Sequence, residues 1–177
     1  MTATMEVMRY TGSAGGPTKT DVTGANSRHV TVDTHYSGGV ASPVPLSSNG
    51  YWVTYRMEAI TTPATSASGL LVWTDGTSQL GTGVTVMGQS ADSYVQATGT
   101  AGVSGTQLTT GNHAGLTGNP VDVFTLTSGT PMSLTGSISN PSTGAWGQFF
   151  VYQVALPSTL PTGSPSAETL TYFWDET

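Results

Sequence analysis

The residues best suited to catalysis or metal binding are three histidines and ten acids. His29 and His35 lie six residues apart at the ends of a predicted short strand, Arg28–Thr34. A strand rises about 3.3 Å per residue, so the two imidazoles are separated by roughly 20 Å. The ligands of one metal ion lie about 2 Å from it. We therefore predict that these histidines and the isolated His113 are structural or surface residues.

The sequence contains no motif that is typical of a hydrolase. The sequence lacks a G-x-S-x-G elbow, so a Ser–His–Asp arrangement would rest on chance proximity alone. Glycoside cleavage needs two carboxyl groups about 5–10 Å apart in a cleft. Glu58 lies beside Arg56 on one predicted strand, where charge neutralisation is the simpler role, and Asp175 and Glu176 lie next to the last residue. The sequence therefore predicts no enzyme and no cofactor.

Oxygen ligands for calcium remain an open alternative, because sandwich loops often supply them. The sequence contains no D-x-D-x-D-G loop, and we predict no metal site. Five aspartates are the candidates that this alternative would use: Asp21, Asp33, Asp75, Asp92 and Asp122.

Aromatic side chains could stack on sugars, and Trp52, Trp146 and Trp174 are the best placed to do so. Aromatics in alternating strands are more often core residues or interface anchors. We therefore favour the core or interface role.

These residues must be positioned by strands. Tyr51–Ile60 runs for ten residues without Gly or Pro, and Tyr51, Val53, Tyr55, Met57 and Ala59 alternate with the others. This period of two predicts a central strand with one face on a core. The segments Gly69–Asp75 and Gly147–Leu156 are the other strongly apolar runs, so the three are expected to wall one hydrophobic interior.

Shorter alternating runs predict further strands. Asp75–Gly76 is a strong tight-turn dipeptide, which suggests that Leu80–Met87 returns beside Gly69–Asp75. Gly-rich residues 99–120 are long for a structureless loop and predict a short element around Thr106–Thr110 or a working surface loop. The remaining predicted strands are Thr4–Tyr10, Asp92–Thr98, Val121–Thr127, Met132–Ser139 and Glu168–Trp174.

Nine or ten short strands without helical periodicity predict an all-β fold. We expect a single domain over residues 1–177, an antiparallel, jelly-roll-like β-sandwich. The chain has no cysteine, so packing and sheet hydrogen bonds must hold it together.

Charge and hydropathy exclude some partners. The net charge is −6 with four basic residues, whereas phosphate binding needs clustered Lys and Arg. No apolar run approaches 18 residues, and the start has no basic and apolar signal segment. We therefore expect no nucleic acid and no membrane as partners, and synthesis in a host cytoplasm.

Both ends of the chain look like strands that could contact a neighbour. Residues 1–11 are treated as an arm that could be exchanged between copies. The predicted interface takes apolar and aromatic residues from these two end strands, and consists of Met5, Val7, Tyr10, Leu170, Tyr172 and Trp174.

The whole chain resembles small β-rich virion structural proteins of tailed phages, of the capsid decoration type. The resemblance rests on the early RYTGSAGGPTKTDVTGANSR, the YW and YR pairs of the central strand, LLVWTDGTSQLGTGV, SYVQATGT, GTQLTTGNHAGL, PVDVFTLTSG, FFVYQVAL and TYFWDET. It implies a β-sandwich that binds the outside of a particle and stabilises it through subunit contacts.

A decoration protein on a symmetric lattice presents one surface to repeated sites, so we expect a homo-oligomer, with a trimer favoured, located on the virion surface beside capsid proteins. Two alternatives stay open. One is a self-assembling extracellular filament subunit joined by donor-strand exchange. The other is a carbohydrate-binding module of a tail or fibre.

Overall fold

Twelve strands and one 3-10 helix make up the regular structure of the described residues. A computed structural model describes residues 2–25, 28–35, 42–160 and 167–177. The helix is Val123–Thr125. The strands are β1 (Met5–Thr11), β2 (Thr18–Asp21), β3 (Val53–Ala59), β4 (Ser66–Trp73), β5 (Thr85–Ala91), β6 (Gly99–Thr100), β7 (Ser104–Gly105), β8 (Val121–Asp122), β9 (Met132–Ser133), β10 (Ile138–Ser139), β11 (Gly144–Ala155) and β12 (Thr171–Glu176).

The larger sheet has six strands in the order β2-β1-β3-β11-β5-β8, and all its pairs are antiparallel. β3 lies between β1 and the twelve-residue β11. The prediction that Tyr51–Ile60 holds a central strand is therefore confirmed.

The smaller sheet has four strands built around β4, which pairs with β12 on one side and with β9 and β10 on the other. The register between β4 and β12 shifts between Phe173 and Asp175. Gly69 adopts a φ of +64° there, and a Cβ at this position would lie 2.8 Å from the Asp175 carboxylate. This bulge therefore requires glycine.

The two sheets pack face to face around the main core. Met57 of β3, Leu70 of β4 and Phe150 of β11 are each at most 1% exposed and belong to one cluster. The expectation that the three apolar runs wall one interior is confirmed. Antiparallel sheets packed in this way confirm the predicted all-β sandwich.

The opposite face of the larger sheet is also buried, which the sequence did not predict. Trp52 is 3% exposed and Thr54 is 1% exposed, and a second cluster joins Trp52 to Phe149 and Val151. Tyr51 belongs to this second cluster and not to the main one. The predicted face of β3, with Val53, Tyr55, Met57 and Ala59, does lie on the main core, and the burial of its other face is an addition to that prediction.

An irregular segment supplies the cover for this second face. Tyr94, Val95, Ala97, Leu108 and Leu116 all pack in the second cluster. We call residues 92–118 the covering segment. The predicted strand Asp92–Thr98 is wrong, since only its immediate continuation Gly99–Thr100 pairs, with Ser104–Gly105. The element expected at Thr106–Thr110 is an irregular run after β7.

Several other predicted strands are shorter or differently placed. Residues 28–35 form only an isolated bridge between Val30 and Pro43, so the strand Arg28–Thr34 is wrong. Val121–Thr127 divides into β8 and the 3-10 helix, where the Asp122 carboxylate accepts the Phe124 N–H. Met132–Ser139 divides into β9 and β10.

The Asp75–Gly76 turn does not form a hairpin. Gly76 has a φ of +85°, and the Asp75 carboxylate accepts the Thr77 N–H, as the turn prediction requires. The strand that follows is Thr85–Ala91, which pairs with β11 in the other sheet. The chain therefore crosses between sheets here instead of returning beside β4.

Both end strands lie within the body of the sandwich. β1 pairs with β2 and β3, and β12, which begins three residues later than predicted, pairs with β4. The Glu176 carboxylate accepts hydrogen bonds from the Ala3 N–H at 2.9 Å and the Ala64 N–H at 3.1 Å. These hydrogen bonds link the residues that precede β1 and β4 to β12, and so connect the two sheets.

Candidate functional site

A large cleft lies between the two sheets. Its volume is ≈ 890 Å³. One wall is the larger sheet, with side chains such as Val7, Met57 and Val86, and the other is β12 with the residues just before it. We call this opening the inter-sheet cleft.

The cleft exists because one strand of the smaller sheet is left uncovered. The inward-facing Leu70 and Val72 of β4 are at most 1% exposed. Tyr172 and Trp174 face the same side from β12, yet both remain partly exposed, as does Leu170 before the strand. The sandwich is thus closed along β4 and open along β12.

Close backbone contact closes the sandwich on the β4 side. A Cβ on Gly136 would lie 2.7 Å from the Gly147 Cα, and one on Gly147 would lie 2.7 Å from a methyl group of Leu70. Only glycine allows this approach. Large aromatic side chains face the cleft instead, and they hold the sheets apart there.

Three tyrosines from three strands meet in the cleft. The Tyr152 hydroxyl donates to the Tyr55 hydroxyl at 3.2 Å, and both are in a buried environment. Burial raises the pKa of the Tyr172 hydroxyl well above its ordinary value, and the electrostatic interaction with the Tyr55 hydroxyl adds a smaller contribution in the same direction. The Tyr172 hydroxyl is buried and has no hydrogen-bond partner among the described residues. Tyr152, whose pKa burial also raises well above its ordinary value, and Tyr172 are therefore neutral hydrogen-bonding groups at neutral pH.

His29 completes the polar part of the cleft. Its ring packs edge-on against Tyr152 with centroids 5.3 Å apart. Burial and the nearby positive charge of Arg9 lower the pKa of His29 to about 4. Its Nδ1 atom is buried and also has no partner within the part of the chain that the structure describes. His29 is thus a neutral imidazole at pH 7.

Five of the six predicted interface residues line this cleft. Met5, Val7, Leu170, Tyr172 and Trp174 all contribute to its walls. Tyr10 does not, because it faces the second cluster, where its ring meets Phe149 edge-on at 5.1 Å. The predicted alternation is right, but the side chains face their own chain's opposite sheet. Their role in contacts between copies stays a prediction.

Arg9 and the tyrosine pair are functional candidates that the sequence did not reveal. Arg9 is 2% exposed, and its charge acts on His29 and Asp33. Only its position on the same side of β1 as Met5 and Val7 signalled that it faces inward. Tyr55 and Tyr152 are paired by the adjacency of β3 and β11, which no sequence pattern reports.

The aspartates considered for calcium instead hold the backbone and neighbouring side chains. Asp21, Asp75 and Asp122 each accept the N–H of the residue two positions later. Asp33 accepts the Gly12 N–H at 2.7 Å, and Asp92 accepts from the Gln148 amide at 2.6 Å. Among the described residues, no three His, Asp or Glu side chains come together in a group that could hold a metal.

Two of the three tryptophans considered for sugar stacking are core residues, since Trp52 and Trp146 are 3% and 2% exposed. Trp174 is partly exposed, packs against the main core and lines the inter-sheet cleft. The core interpretation is therefore correct for Trp52 and Trp146.

A second, more polar hollow of ≈ 470 Å³ lies near the β11 bulge. Its most prominent groups are already engaged with each other or with the backbone. The Arg56 Nε donates to the Gly147 carbonyl at 2.8 Å, and the Gln148 amide donates to Asp92. It is therefore a weaker candidate for ligand binding than the inter-sheet cleft.

The outer face of the smaller sheet carries exposed apolar side chains. Phe173 is 45% exposed and faces Trp73 with ring centroids 6.2 Å apart, and Leu71 is its cross-strand partner. We call Leu71, Trp73 and Phe173 the outer patch. β12 lies at the edge of its sheet, with no strand paired to its far side among the described residues.

The chain matches no protein-family model, no curated protein and no solved structure. No helix among the described residues has the length and apolar character needed to cross a membrane.

Proposed function

We propose that the chain is a virion structural protein of the capsid decoration type, which acts by binding other proteins and not by catalysis. The observation that supports it best is the outer patch beside the unpaired edge of β12. The resemblance of the sequence to virion proteins supplies the biological setting.

The outer patch has the character of a binding surface. Aromatic side chains are enriched at protein interfaces, and charged ones are depleted at their centres. Phe173 and Trp73 present aromatic area on a chain with a charged fraction of 8%. Burying Phe173 and its neighbours would remove apolar area from water at little cost in side-chain entropy, because aromatic rings have few rotatable bonds.

Among the described residues no strand pairs with the outer edge of β12, and this edge offers a second mode of contact. An edge strand exposes unpaired N–H and C=O groups, and an extended segment of a partner can pair with them. Phe173 of the outer patch lies on this strand, and Leu71 and Trp73 lie on the neighbouring β4, so pairing and side-chain burial would act together. The partner in this proposal is a capsid shell protein that offers an extended segment with apolar side chains.

The test is binding to shells assembled from the major capsid protein of the same genome. Phe173→Thr keeps a residue suited to a strand and removes the ring, and we expect at least ten-fold weaker co-sedimentation. Ile60→Thr is the matched control, since Ile60 is also 45% exposed and lies outside the outer patch. We expect it to bind as the parent chain does.

Equal loss in both variants, or no binding of the parent chain to shells, would contradict the proposal. Self-association of the free chain should be measured by light scattering in the same experiment, because a trimer is expected. A monomer at high concentration would remove the symmetric-assembly part of the proposal.

The donor-strand alternative needs a different experiment from a simple deletion. β1 lies between β2 and β3, so removing residues 1–11 would disrupt the six-stranded sheet as well as any exchanged arm. Loss of polymers after that deletion would therefore not identify strand exchange.

A further inference from the structure

We propose that the inter-sheet cleft is a binding site for a small uncharged aromatic molecule that carries a hydroxyl or carbonyl oxygen. This inference is independent of the proposed contact function, because the cleft lies between the sheets and the outer patch lies on the opposite side of β12.

The size and lining of the cleft fit such a ligand. Its volume of ≈ 890 Å³ falls within the range of roughly 300–1,000 Å³ that is usual for small-molecule sites. Apolar side chains of both sheets form most of the wall. Aromatic rings are prominent among them, namely those of Tyr55, Phe124, Tyr152, Tyr172 and Trp174. Rings of this kind favour aromatic ligands through offset and edge-on packing.

The cleft also contains polar atoms that lack partners. A buried hydroxyl or imidazole nitrogen without a hydrogen bond is costly, and most such groups in folded proteins are paired. The Tyr172 hydroxyl and the His29 Nδ1 atom are buried without a partner among the described residues, and both residues line the cleft. A hydroxyl or carbonyl oxygen of a ligand can accept a hydrogen bond from the Tyr172 hydroxyl, and a hydroxyl can also donate one to the His29 Nδ1 atom.

The charges around the cleft favour a neutral ligand. Tyr152, Tyr172 and His29 inside it are uncharged at pH 7, because burial raises the pKa of each tyrosine and lowers that of the histidine. At the rim, exposed Arg28 is accompanied by Glu168, whose carboxylate accepts the Gln79 N–H. Arg9 is near His29 but is not part of the lining, and Asp33 is close enough to feel its charge.

The experiment compares two probes of similar shape by isothermal titration at pH 7. One is 1-naphthol, which is neutral and carries one hydroxyl, and the other is 1-naphthalenesulfonate, which is anionic. We expect 1-naphthol to bind the parent chain with one site and a dissociation constant below about 1 mM. The sulfonate should bind at least ten-fold more weakly, because the polar groups inside the cleft are uncharged and the exposed Arg28 at the rim is accompanied by the acidic Glu168.

Two variants locate the site. Tyr172→Phe removes the unpaired hydroxyl while keeping the ring, and should weaken 1-naphthol binding about five-fold. Ala167→Trp places a large ring at an exposed position of the lining and should reduce binding more than ten-fold. Phe173→Thr, on the outward side of β12, is the control and should bind as the parent does. Circular dichroism confirms folding of each variant.

No measurable 1-naphthol binding to the folded parent chain would overturn the proposal. Unchanged affinity in both Tyr172→Phe and Ala167→Trp would also overturn it, because the probe would then be bound elsewhere. Equal affinity for the sulfonate would refute the neutral class of ligand. Failure of the shell-binding experiment leaves these outcomes unaffected, since the probes are tested on the free protein.

Discussion

The two faces of the six-stranded sheet are covered in different ways. A second sheet covers one face and leaves the inter-sheet cleft, so that Tyr172 and Trp174 stay partly exposed. The irregular covering segment closes the other face so well that Val151 and His113 are 0% exposed. The regular partner therefore seals the sheet less completely than the irregular one.

The difference follows from how each cover is held. A hydrogen-bonded sheet keeps its own twist, so two sheets can approach closely at one place and diverge at another. An irregular segment can follow the surface beneath it, provided that its backbone groups find partners. Side chains of the larger sheet provide them: Gln153 accepts the Leu108 N–H and donates to the Thr106 carbonyl, and Trp52 donates to the Val95 carbonyl.

The largest expected effect compares two neighbouring phenylalanines on the two faces. Phe150 is 0% exposed in the main core, and Phe149 is 6% exposed under the covering segment. We expect Phe150→Ala to lower the free energy of unfolding by about 5 kcal/mol and Phe149→Ala by about 3 kcal/mol, because an irregular cover can collapse into the space better than a sheet. Urea unfolding measures both, and the reverse order would contradict this view of the two covers.

The next effect concerns the attachment of the covering segment. Gln153→Ala removes the bonds to Leu108 and Thr106 as well as the one to the Gly50 carbonyl at 2.8 Å, leaving buried groups unpaired. The expected loss is about 2–4 kcal/mol, with faster amide exchange at Leu108. Gln89→Ala is the control: it loses an exposed bond to the Asn119 carbonyl and the bonds from the adjacent Ser90, none of which holds the buried groups of Leu108 and Thr106, and it should cost less than the Gln153 variant. Equal losses would show that the covering segment does not depend on Gln153.

A smaller effect should appear in the pH dependence of the free energy of unfolding, through His113 of the covering segment. Burial lowers the pKa of His113, and its ring packs against Trp52 with centroids 5.5 Å apart. Below about pH 6.5 the unfolded chain takes up a proton that the native chain refuses, so stability falls as the pH decreases. The contribution of His113 is up to about 1.4 kcal/mol per pH unit until its folded pKa is reached.

His113→Gln should flatten the dependence of unfolding free energy on pH between pH 6.5 and 5 relative to the parent chain. His29 also has a lowered pKa and stays in both proteins, so the difference in slope isolates His113. Identical slopes in the two proteins would mean that folding does not lower the pKa of His113.

The smallest expected effect on stability is that of Phe173→Thr. The side chain is 45% exposed on the outer side of β12, so its removal should change the free energy of unfolding by no more than about 0.5 kcal/mol. Thermal unfolding checks this value. A loss above 2 kcal/mol would show that the outer patch belongs to the core of the chain and is not a surface available for binding.

The long strands could be predicted because alternation and burial agree in them. β3, β4 and β11 contain apolar runs without helical periodicity, and each was located within a few residues. The predicted strand at Asp92–Thr98 failed because its backbone groups bond to separate partners and not to one neighbouring strand. The Asp92 N–H donates to the Gly115 carbonyl, and the Val95 carbonyl accepts from the Trp52 indole.

The cleft could be predicted only in part. The alternation of Leu170, Tyr172 and Trp174 showed correctly that they share one face. The residues that they face depend on the strand order of the other sheet. Tyr55 and Tyr152, which meet there, lie 97 residues apart in the sequence. Local patterns carry no information about such pairing. The burial of His113 likewise depends on where the covering segment lies.

The bond between the Ala3 N–H and Glu176 means that the two extremities of the described chain lie side by side. A short genetic linker could join them, and new ends could be opened at the exposed turn that includes Gly102. For imaging on a particle, a tag fused to either extremity would mark the same spot on the molecule, and the two fusions would serve as replicates of one orientation measurement.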